Sequence, residues 1–404
     1  MLVVILGLMT AIGPLSLDMY LAAFPDIAAD LGVSPAEVQL SLTACLVGLA
    51  LGQLVFGPLS DRWGRRRPAV LGVGAYAVLS LLIALSPTAP VLVGLRLLQG
   101  LAGGVGVVVA RAVVRDRYSG VAAAKFFSRL TLIFGVAPIA APALGSAVLT
   151  LTSWRGVFVA LGVIALLLTG LIAARLPETL PPARRSTGGL PDVGRTARAL
   201  LADRLFTGYA LAQAFAFAAM FSYIAGSSFV LQDGYGISPV VFSLLFGVNS
   251  AGLIALSQAN GRLLDRFALR TLLIAGLVAQ TAAGVAALAA AWAGVLVALA
   301  GALFLMVAAF GMVMPNATGL ALDRCPERAG TAAALLGAIQ SVVAAAAAPV
   351  VGGLGAPGRG VPMGIVIAGC AALGLLSALI LASASPRRRS GPRASAPPAP
   401  APPR

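Results

Sequence analysis

The chain has no histidine, a single lysine and three cysteines among its 404 residues. The cysteines Cys45, Cys325 and Cys370 lie far apart in the sequence. This scarcity leaves no ligand cluster for a metal ion, no Cys/His catalytic pair and no disulfide framework. The GxxxxGK[ST] loop that holds nucleotide phosphates is absent as well. We therefore expect no catalytic residues, no metal and no cofactor, and an energy source other than ATP.

Charged residues are also few, at 10% of the chain, whereas 59% of the residues are hydrophobic. Many uncharged runs reach the ~20 residues that an α-helix needs to cross a bilayer, and the run at 271–322 is long enough for two helices. The net charge of +15 does not indicate a nucleic-acid partner, because the basic residues lie in short loops between apolar runs. The pattern predicts an all-α membrane protein with twelve transmembrane helices, embedded in a lipid bilayer.

The basic residues also predict the orientation of these helices. Residues 1–17 have neither a basic start nor a small-residue cleavage site, which indicates a first transmembrane helix rather than a removable signal peptide. Basic residues gather in every second loop, at 62–67, 111–125, 175–204, 262–270 and 324–328, and in the tail at 387–389. By the positive-inside rule these loops and both termini are cytoplasmic. We expect a multi-pass protein of the bacterial inner membrane.

Two similar segments lie half a chain apart. GPLSDRWGRRRP, from Gly57, is repeated as GRLLDRFALRTL, from Gly261, which aligns Asp61 with Asp265. Parallel repeats are typical of transporters whose site lies between two halves. Chance similarity among small and basic residues is the alternative. We predict six-helix halves at 1–176 and 205–384, a cytoplasmic linker at 177–204 and a disordered cytoplasmic tail at 385–404.

Several stretches have the form of known motifs. GPLSDRWGRRRP (57–68) matches G-x-L-x-D-R-x-G-R-R almost letter for letter, and RLLQGLAGGVG (96–106) and GVAPIAAPALG (135–145) are rich in glycine. In these stretches the chain resembles the major facilitator superfamily, whose motifs lie in the loop between helices 2 and 3, in helix 4 and in helix 5. LSLDMYLAAFPDIAADL (15–31) is similar to the bicyclomycin-resistance branch, Bcr/CflA, of its twelve-helix drug:proton antiporters. The resemblance implies the two-half fold of that family and an antiporter motif at Gly135, Pro138, Pro142 and Gly145.

The first cytoplasmic loop has a charge pattern that suits an ion-pair cluster. Asp61 and Arg65 are four residues apart and can face each other on a helical turn, and Asp116 offers Arg65 a second carboxylate. The resemblance implies that they form a latch, which holds the halves together when the site opens outward. The alternative is that the arginines only fix the topology. We assign to this cytoplasmic gate Gly57, Asp61, Arg62, Gly64, Arg65, Asp116 and, from the repeat, Asp265.

One acid and one arginine lie within the apolar spans, namely Asp18 and Arg96. Charge inside a membrane is expensive and functional by default. We expect Asp18 to carry the proton, because a carboxyl group can gain and lose one, and Arg96 to tune a nearby carboxylate, because arginine stays protonated in proteins. Alternatively, Asp18 only caps or solvates the outer end of helix 1. Whether Asp18 and Arg96 touch is left open by the sequence.

Aromatic, sulfur and amide side chains in the predicted helices are candidates for substrate binding. Intramembrane amides also cross-link helices, at about 0.6 kcal/mol each, so a structural role is the alternative for each of them. As a set they predict an apolar cavity with amides and one acid, which suits neutral or amphiphilic drugs better than sugars or phosphorylated metabolites. The glycines of 96–106 are expected to let helices 4 and 5 pack closely. The candidates are Met19, Tyr20, Gln39, Gln213, Phe217, Tyr223, Asn249 and Asn316.

Together these features predict a proton-coupled multidrug efflux antiporter, a functional monomer that exports small drug-like molecules by alternating access. A carrier that exports or imports an endogenous metabolite is the alternative among transporters. Direction of transport, and competition between metabolites and drug, would separate the two. The alternative from another class is a non-transporting membrane sensor with the same fold, which would not depend on Asp18.

Overall fold

The computed structural model describes residues 1–118, 120–185, 198–324, 329–354 and 358–381. In this part of the chain the regular structure is helical, without a β-strand. The long helices of these residues are α1 Leu2–Asp18, α2 Pro35–Trp63, α3 Arg66–Ala84, α4 Ala89–Arg117, α5 Gly120–Leu149, α6 Trp154–Arg175, α7 Arg204–Ser228, α8 Pro239–Leu263, α9 Leu269–Ala293, α10 Leu296–Leu322, α11 Ala329–Gly353 and α12 Val361–Ile380.

The lengths and composition of these helices fit a bilayer. Among the described residues, eleven helical segments are long and apolar enough to cross a membrane. Helix α5 contains a shorter apolar stretch, Val136–Leu149, and corresponds to the remaining expected span. Lipid offers no hydrogen-bond partners to the backbone, and helices satisfy their backbone groups internally. The expected class, an all-α membrane protein, is confirmed.

Several helices begin at local sequence signals. Ser34 starts α2 with a capping box, in which its hydroxyl accepts from the N–H of Glu37 and the Glu37 carboxylate accepts from the N–H of Ser34. Asp203 caps α7 and Ser238 caps α8 with their side-chain oxygens. These side chains bind N–H groups that the first turn of a helix leaves without partners.

Helices α1 and α7 both lose regular α-helical geometry near the same end of the bundle. After Asp18, α1 gives way to a tight turn at Leu21–Ala23 and a short helix at Phe24–Leu31. After α7 the chain widens into one π-helical turn at Phe229–Gly234. The two irregular segments pack together, with the rings of Phe24 and Phe229 5.7 Å apart between centroids. Interrupted helices of this kind are typical of transporter sites.

Glycine lets α2 and α4 cross with their backbones in contact. Gly48 and Gly52 on α2 face Gly100 and Gly104 on α4, and a side chain at any of the four would overlap the backbone of the other helix. The expectation that the glycines of 96–106 join helices 4 and 5 is wrong, because they pack α4 on α2 and, at Gly106, on α1. Small residues at four-residue spacing permit this closeness wherever two helix faces meet, so the sequence alone did not identify the partner helix.

The helices form two groups that meet near one end. Helices α1–α6 pack mainly on one another, as α7–α12 do, and contacts of α2 with α11 and of α5 with α8 join the groups. The Ser243 hydroxyl of α8 donates to the Pro142 carbonyl of α5 at 3.0 Å and is hydrogen-bonded to Ser146. Gly352 of α11 lies against Ala36 of α2. We call this end, where α2 and α8 begin, the closed end.

The predicted domain boundaries stay predictions. Residues 186–197 of the linker and 382–404, which include the tail, lie outside the described residues, as does Cys325. The first residues of the linker are described and contact the loop between α2 and α3.

Candidate functional site

Asp18 is buried where the two helix groups meet. It is the last residue of α1, and 6% of its surface is exposed. Within the described residues its carboxylate has no hydrogen bond and no ion pair. It lies within electrostatic range of the Tyr223 phenol on α7. This position differs from that of a solvated cap at the outer end of helix 1.

Arg96 is buried on the opposite side of α1. Its Nη2 donates to the Ser16 carbonyl at 2.7 Å, and its guanidinium lies 4.3 Å from the ring centroid of Tyr20. Asp18 follows Ser16 by two residues in α1, which rotates it by about 200° around a helix of 3.6 residues per turn. The structure thus shows no contact between Asp18 and Arg96.

A hydrogen-bond network surrounds Arg96 within α1–α4. Arg96 Nη1 donates to Gln99 Oε1 at 2.5 Å, and Gln99 Nε2 donates to the Ser80 hydroxyl at 2.7 Å. The hydroxyls of Ser16 and Tyr76 are 2.6 Å apart. Sequence reasoning missed Ser16, Tyr76, Ser80 and Gln99, although polar residues inside apolar runs were the available signal. The network thus gives the Nη1 and Nη2 groups of the buried Arg96 guanidinium uncharged hydrogen-bond acceptors.

Arg96 also compensates for the end of α1. The last carbonyls of a helix have no intrahelical donor, and the Ser16 carbonyl receives the Arg96 guanidinium instead. Arg96 therefore fixes the backbone two residues before Asp18.

We expect Arg96→Lys to destabilise the protein, although it keeps the charge. A lysine ammonium cannot donate to Ser16 and Gln99 with the fixed fork of a guanidinium. A lost hydrogen bond to a charged group costs about 1.5–3 kcal/mol. Thermal unfolding in detergent measures this effect. Arg175→Lys, at an exposed arginine that ends α6, is the matched control; equal behaviour of the two variants would contradict this role.

The stretch that resembles an antiporter motif lies in α5 and packs on the segment that holds Asp18. A side chain at Gly145 would overlap the Met19 carbonyl, so glycine allows α5 to touch the residue next to Asp18. Pro138 and Pro142 lie inside the helix, and the Pro142 carbonyl accepts from Ser243 of α8. Gly135 is part of the α5 backbone, but its surroundings lie outside the described residues.

Two of the candidate substrate amides are engaged in helix-to-helix bonds. Gln213 on α7 donates to Gln340 on α11 at 2.8 Å and accepts from Thr318 on α10 at 2.9 Å. Asn316 on α10 and Asn260 on α8 bond through both amides. In this structure these side chains cross-link α7, α8, α10 and α11, which is the structural alternative considered above.

A second cluster lies closer to Asp18. Asn249 of α8 donates to the Tyr223 hydroxyl at 2.8 Å, and the Tyr223 ring stacks on Phe246. Phe217, on the same helix as Tyr223, belongs to a separate aromatic cluster with Phe221 and Phe310. Tyr223 and Asn249 are thus the candidates that the structure brings together near the acid.

The remaining three candidates lie apart from Tyr223 and Asn249. Tyr20 hydrogen-bonds Ser41 and belongs to the surroundings of Arg96. Met19 is buried beneath α5. Gln39 lies at the closed end beside Gly352, where its Oε1 is buried without a partner among the described residues.

The predicted ion pairs of Asp61, Arg65 and Asp116 are present. All three residues belong to α2–α4, within one helix group, so these pairs do not themselves join the two halves, contrary to the latch that the resemblance implied. Arg65 Nη1 lies 2.6 Å from Asp61, and Arg65 Nε lies 2.8 Å from Asp116. Arg65 is buried, with 6% of its side chain exposed against 53% for Asp61. Burial lowers the pKa of Arg65, but Asp116 and Asp61 outweigh it and raise that pKa overall. The guanidinium is thus charged and held between two carboxylates.

The four other residues assigned to the gate are not part of these pairs, and one of them, Gly64, ends α2. Gly57 has no atom within 4 Å of the position that a side chain would take, and Arg62 is exposed. Asp265 is exposed in the turn after α8 and makes no side-chain bond within the described residues. The repeat places Leu269 where the first half has Arg65, so Asp265 lacks the arginine that binds Asp61.

The chain is similar to known transport proteins over nearly its whole length. It matches the family model of the Major Facilitator Superfamily over residues 6–349 and again over 209–403. It is 42% identical over 376 residues to YdgK, an uncharacterized MFS-type transporter of Bacillus subtilis, which covers 92% of this chain and 93% of that one. It is 30% identical to a bicyclomycin resistance protein homolog of Haemophilus influenzae, covering 95% and 96%. Multidrug resistance protein D of Escherichia coli is 29% identical, covering 84% and 86%.

Solved structures show the same fold at low sequence identity. A bacterial homologue of the lysosomal transporter Spinster, in an inward-facing and unoccupied conformation, aligns with a TM-score of 0.71 at 17% identity, over 95% of this chain and 94% of that one. The D-xylose-proton symporter aligns with a TM-score of 0.73 at 15% identity, over 94% and 96%. The resemblance drawn from the motifs is confirmed: the chain belongs to the major facilitator superfamily and is a membrane transporter, not an enzyme, related to bicyclomycin- and multidrug-resistance proteins.

Proposed function

We infer that this transporter is a proton-coupled drug exporter of the bacterial inner membrane. The observation that carries this inference is Asp18, a buried acid without a partner among the described residues, at the junction of the two helix groups. An ionised carboxylate is unfavourable there, so its protonation responds to whether the site opens to water. A group of this kind can exchange a proton for substrate as the site alternates between the two sides of the membrane.

The surroundings of Asp18 support a neutral or amphiphilic substrate. Tyr223, Phe246 and Asn249 supply aromatic surface and one amide, and the buried Arg96 points to the other side of α1. Sugars would need more hydrogen bonds, and phosphorylated metabolites would need basic side chains. The similarity to bicyclomycin- and multidrug-resistance proteins supports the same class of substrate.

The orientation follows from the positive-inside rule and makes the closed end the outer one. Asp61, Arg65 and Asp116 then form a latch on the cytoplasmic side of the first helix group. We propose that the protein works as a monomer with the proton gradient as its energy source. In that orientation the contacts of α5 with α8 and of α2 with α11 lie on the outer side of the membrane.

Drug-dependent proton movement in proteoliposomes tests this function. Bicyclomycin- and chloramphenicol-like compounds are added to vesicles that contain the purified protein and a pH-sensitive dye. We expect protons to move against the drug and at a rate that exceeds that of protein-free vesicles. Proton movement with sugars or nucleosides but not with drugs would indicate a metabolite carrier instead. The absence of movement with every compound would contradict the proposal and favour a sensor.

A further inference from the structure

The latch around Arg65 is supported by a segment that the gate motif does not include. Directly after α6 the chain runs Leu176–Leu180, with the sequence LPETL. Two side chains of this segment contact the latch: Glu178 binds the backbone of Arg65, and Thr179 binds the carboxylate of Asp116. Both contacts join residues more than 60 positions apart in the sequence.

Glu178 caps α3 from a distance. The residue before this helix, Arg65, offers no side-chain cap, so the first N–H groups of α3 need another acceptor. Glu178 Oε1 accepts from the Arg65 N–H at 2.8 Å, and Oε2 accepts from the Arg66 N–H at 3.3 Å. A carboxylate at the positive end of a helix is also favoured electrostatically. Although burial raises the pKa of the Glu178 carboxyl, the N–H groups of Arg65, Leu180 and Arg66 outweigh it and hold that pKa below its usual range.

Gly64 is the residue that makes room for this cap. It ends α2 with φ of 90°, which favours glycine, and a side chain there would overlap the Glu178 carboxylate. The glycine of the gate motif thus allows the backbone to turn after α2 and leaves space for Glu178 of the linker.

Thr179 acts on the other partner of Arg65. Its hydroxyl donates to Asp116 Oδ2 at 2.8 Å, and the same oxygen accepts from Arg65 Nε at 2.8 Å. The hydroxyl therefore fixes the orientation in which Asp116 receives the guanidinium. The two neighbouring residues, Glu178 and Thr179, thus hold the Arg65 backbone and the Asp116 carboxylate in the positions in which Arg65 and Asp116 pair.

We propose that Glu178 and Thr179 are positioning residues of the cytoplasmic latch, through which the start of the linker is coupled to the opening and closing of the transporter. The linker is also held at its other end, where Asp203 caps α7 and pairs with Arg324 at the foot of α10 at 3.0 Å. The two described ends of the linker are thus each bonded to a different helix group. This proposal rests on the proposed transport function.

A double-mutant cycle on the full-length protein in proteoliposomes tests the proposal. Glu178→Gln weakens the cap, and Thr179→Val removes the hydroxyl. We expect each to lower the maximal rate of drug transport about five-fold or more, the lower end of typical conformational coupling, with KM nearly unchanged. In an Arg65→Ala background the same substitutions should have little further effect on transport, because the side chain that they position is then absent.

Two matched variants control the cycle. Thr179→Ser keeps the hydroxyl and should keep the wild-type rate. Asp323→Asn removes an exposed acid at the foot of α10 that forms no side-chain hydrogen bond or ion pair with the described residues, and it should leave transport unchanged. Losses that multiply with Arg65→Ala would indicate a general structural effect and would overturn the proposal.

Hydrogen exchange provides a measurement that needs no transport. The amides of Arg65 and Arg66 should exchange faster in Glu178→Gln than in the wild type, and at the wild-type rate in Asp323→Asn. Unchanged exchange at these amides would overturn the proposal even if transport were lost. Hydrogen exchange is measured on the protein itself and does not depend on transport. A wild type that moves no drug would therefore contradict the proposed function, and the exchange rates would still decide the role of Glu178.

Discussion

Asp18→Asn is expected to reduce drug-dependent proton movement to the level of protein-free vesicles. Asparagine has nearly the size of a protonated aspartate and remains neutral, so it occupies the same buried position but cannot release a proton. Exchange of labelled for unlabelled drug, which requires no net proton movement, should persist because the fold and the surroundings of Tyr223 are kept. The measurement compares proton flux and drug exchange on the same vesicles.

The control for this variant is Asp26→Asn. Asp26 lies eight residues further along the chain, in the short helix after α1, and its side chain is exposed. Water reaches this carboxylate in the structure, unlike that of Asp18, so its loss should leave the coupling intact. Proton movement that survives in Asp18→Asn, or that is lost equally in Asp26→Asn, would move the proton carrier elsewhere.

The second large effect is expected at the crossing of α2 and α4. In Gly100→Ala the new methyl group would overlap the Cys45 carbonyl of α2, and in Gly52→Ala it would overlap the Leu101 carbonyl of α4. Backbone atoms cannot rotate away as a side chain can, so the helices must separate. Overpacking of this kind costs about 1–3 kcal/mol per site, and the larger Gly100→Val should prevent recovery of folded protein. Thermal unfolding in detergent and elution as a single species measure these effects.

Gly94→Ala is a control on the same helix with the opposite expected sign. Gly94 has no atom within 4 Å of the position that a side chain would take. Alanine favours the helix over glycine by roughly 0.5–1 kcal/mol, so this variant should be as stable as the wild type or slightly more stable. Equal destabilisation by Gly94→Ala and Gly100→Ala would show that the close crossing is not the cause.

The positions of Asp18 and Arg96 illustrate what a single sequence leaves open about the site. Both residues could be recognised as intramembrane charges from their neighbours in the chain. Their relation depends on which sides of α1 face α4 and α7, and the packing places Arg96 at Ser16 and Asp18 near Tyr223. The two charges belong to one short stretch of α1 but to different surroundings.

The amides and the latch also combine features that the sequence predicted with contacts that only the tertiary structure shows. Gln213 and Asn316 were candidates for substrate contact by residue type, and only the tertiary structure shows that Gln340 and Asn260 bind them. The pairing of Asp61 with Arg65 followed from four-residue spacing, whereas Glu178 at the start of α3 comes from 113 residues away. The spacing of residues in the sequence predicts contacts within one helix, but it does not predict contacts between helices.

The sequence by itself determined the class of the protein, its apolar helices, the ion pair of the latch and the family, because span length, local spacing and motifs are properties of neighbouring residues. The tertiary structure decided which helix each glycine meets, which amides are already bonded and which side of α1 carries the proton-binding candidate. Those features depend on how helix faces are rotated and matched against one another, and in a membrane that matching follows from close packing and interhelical hydrogen bonds rather than from the apolar pattern that defines the spans.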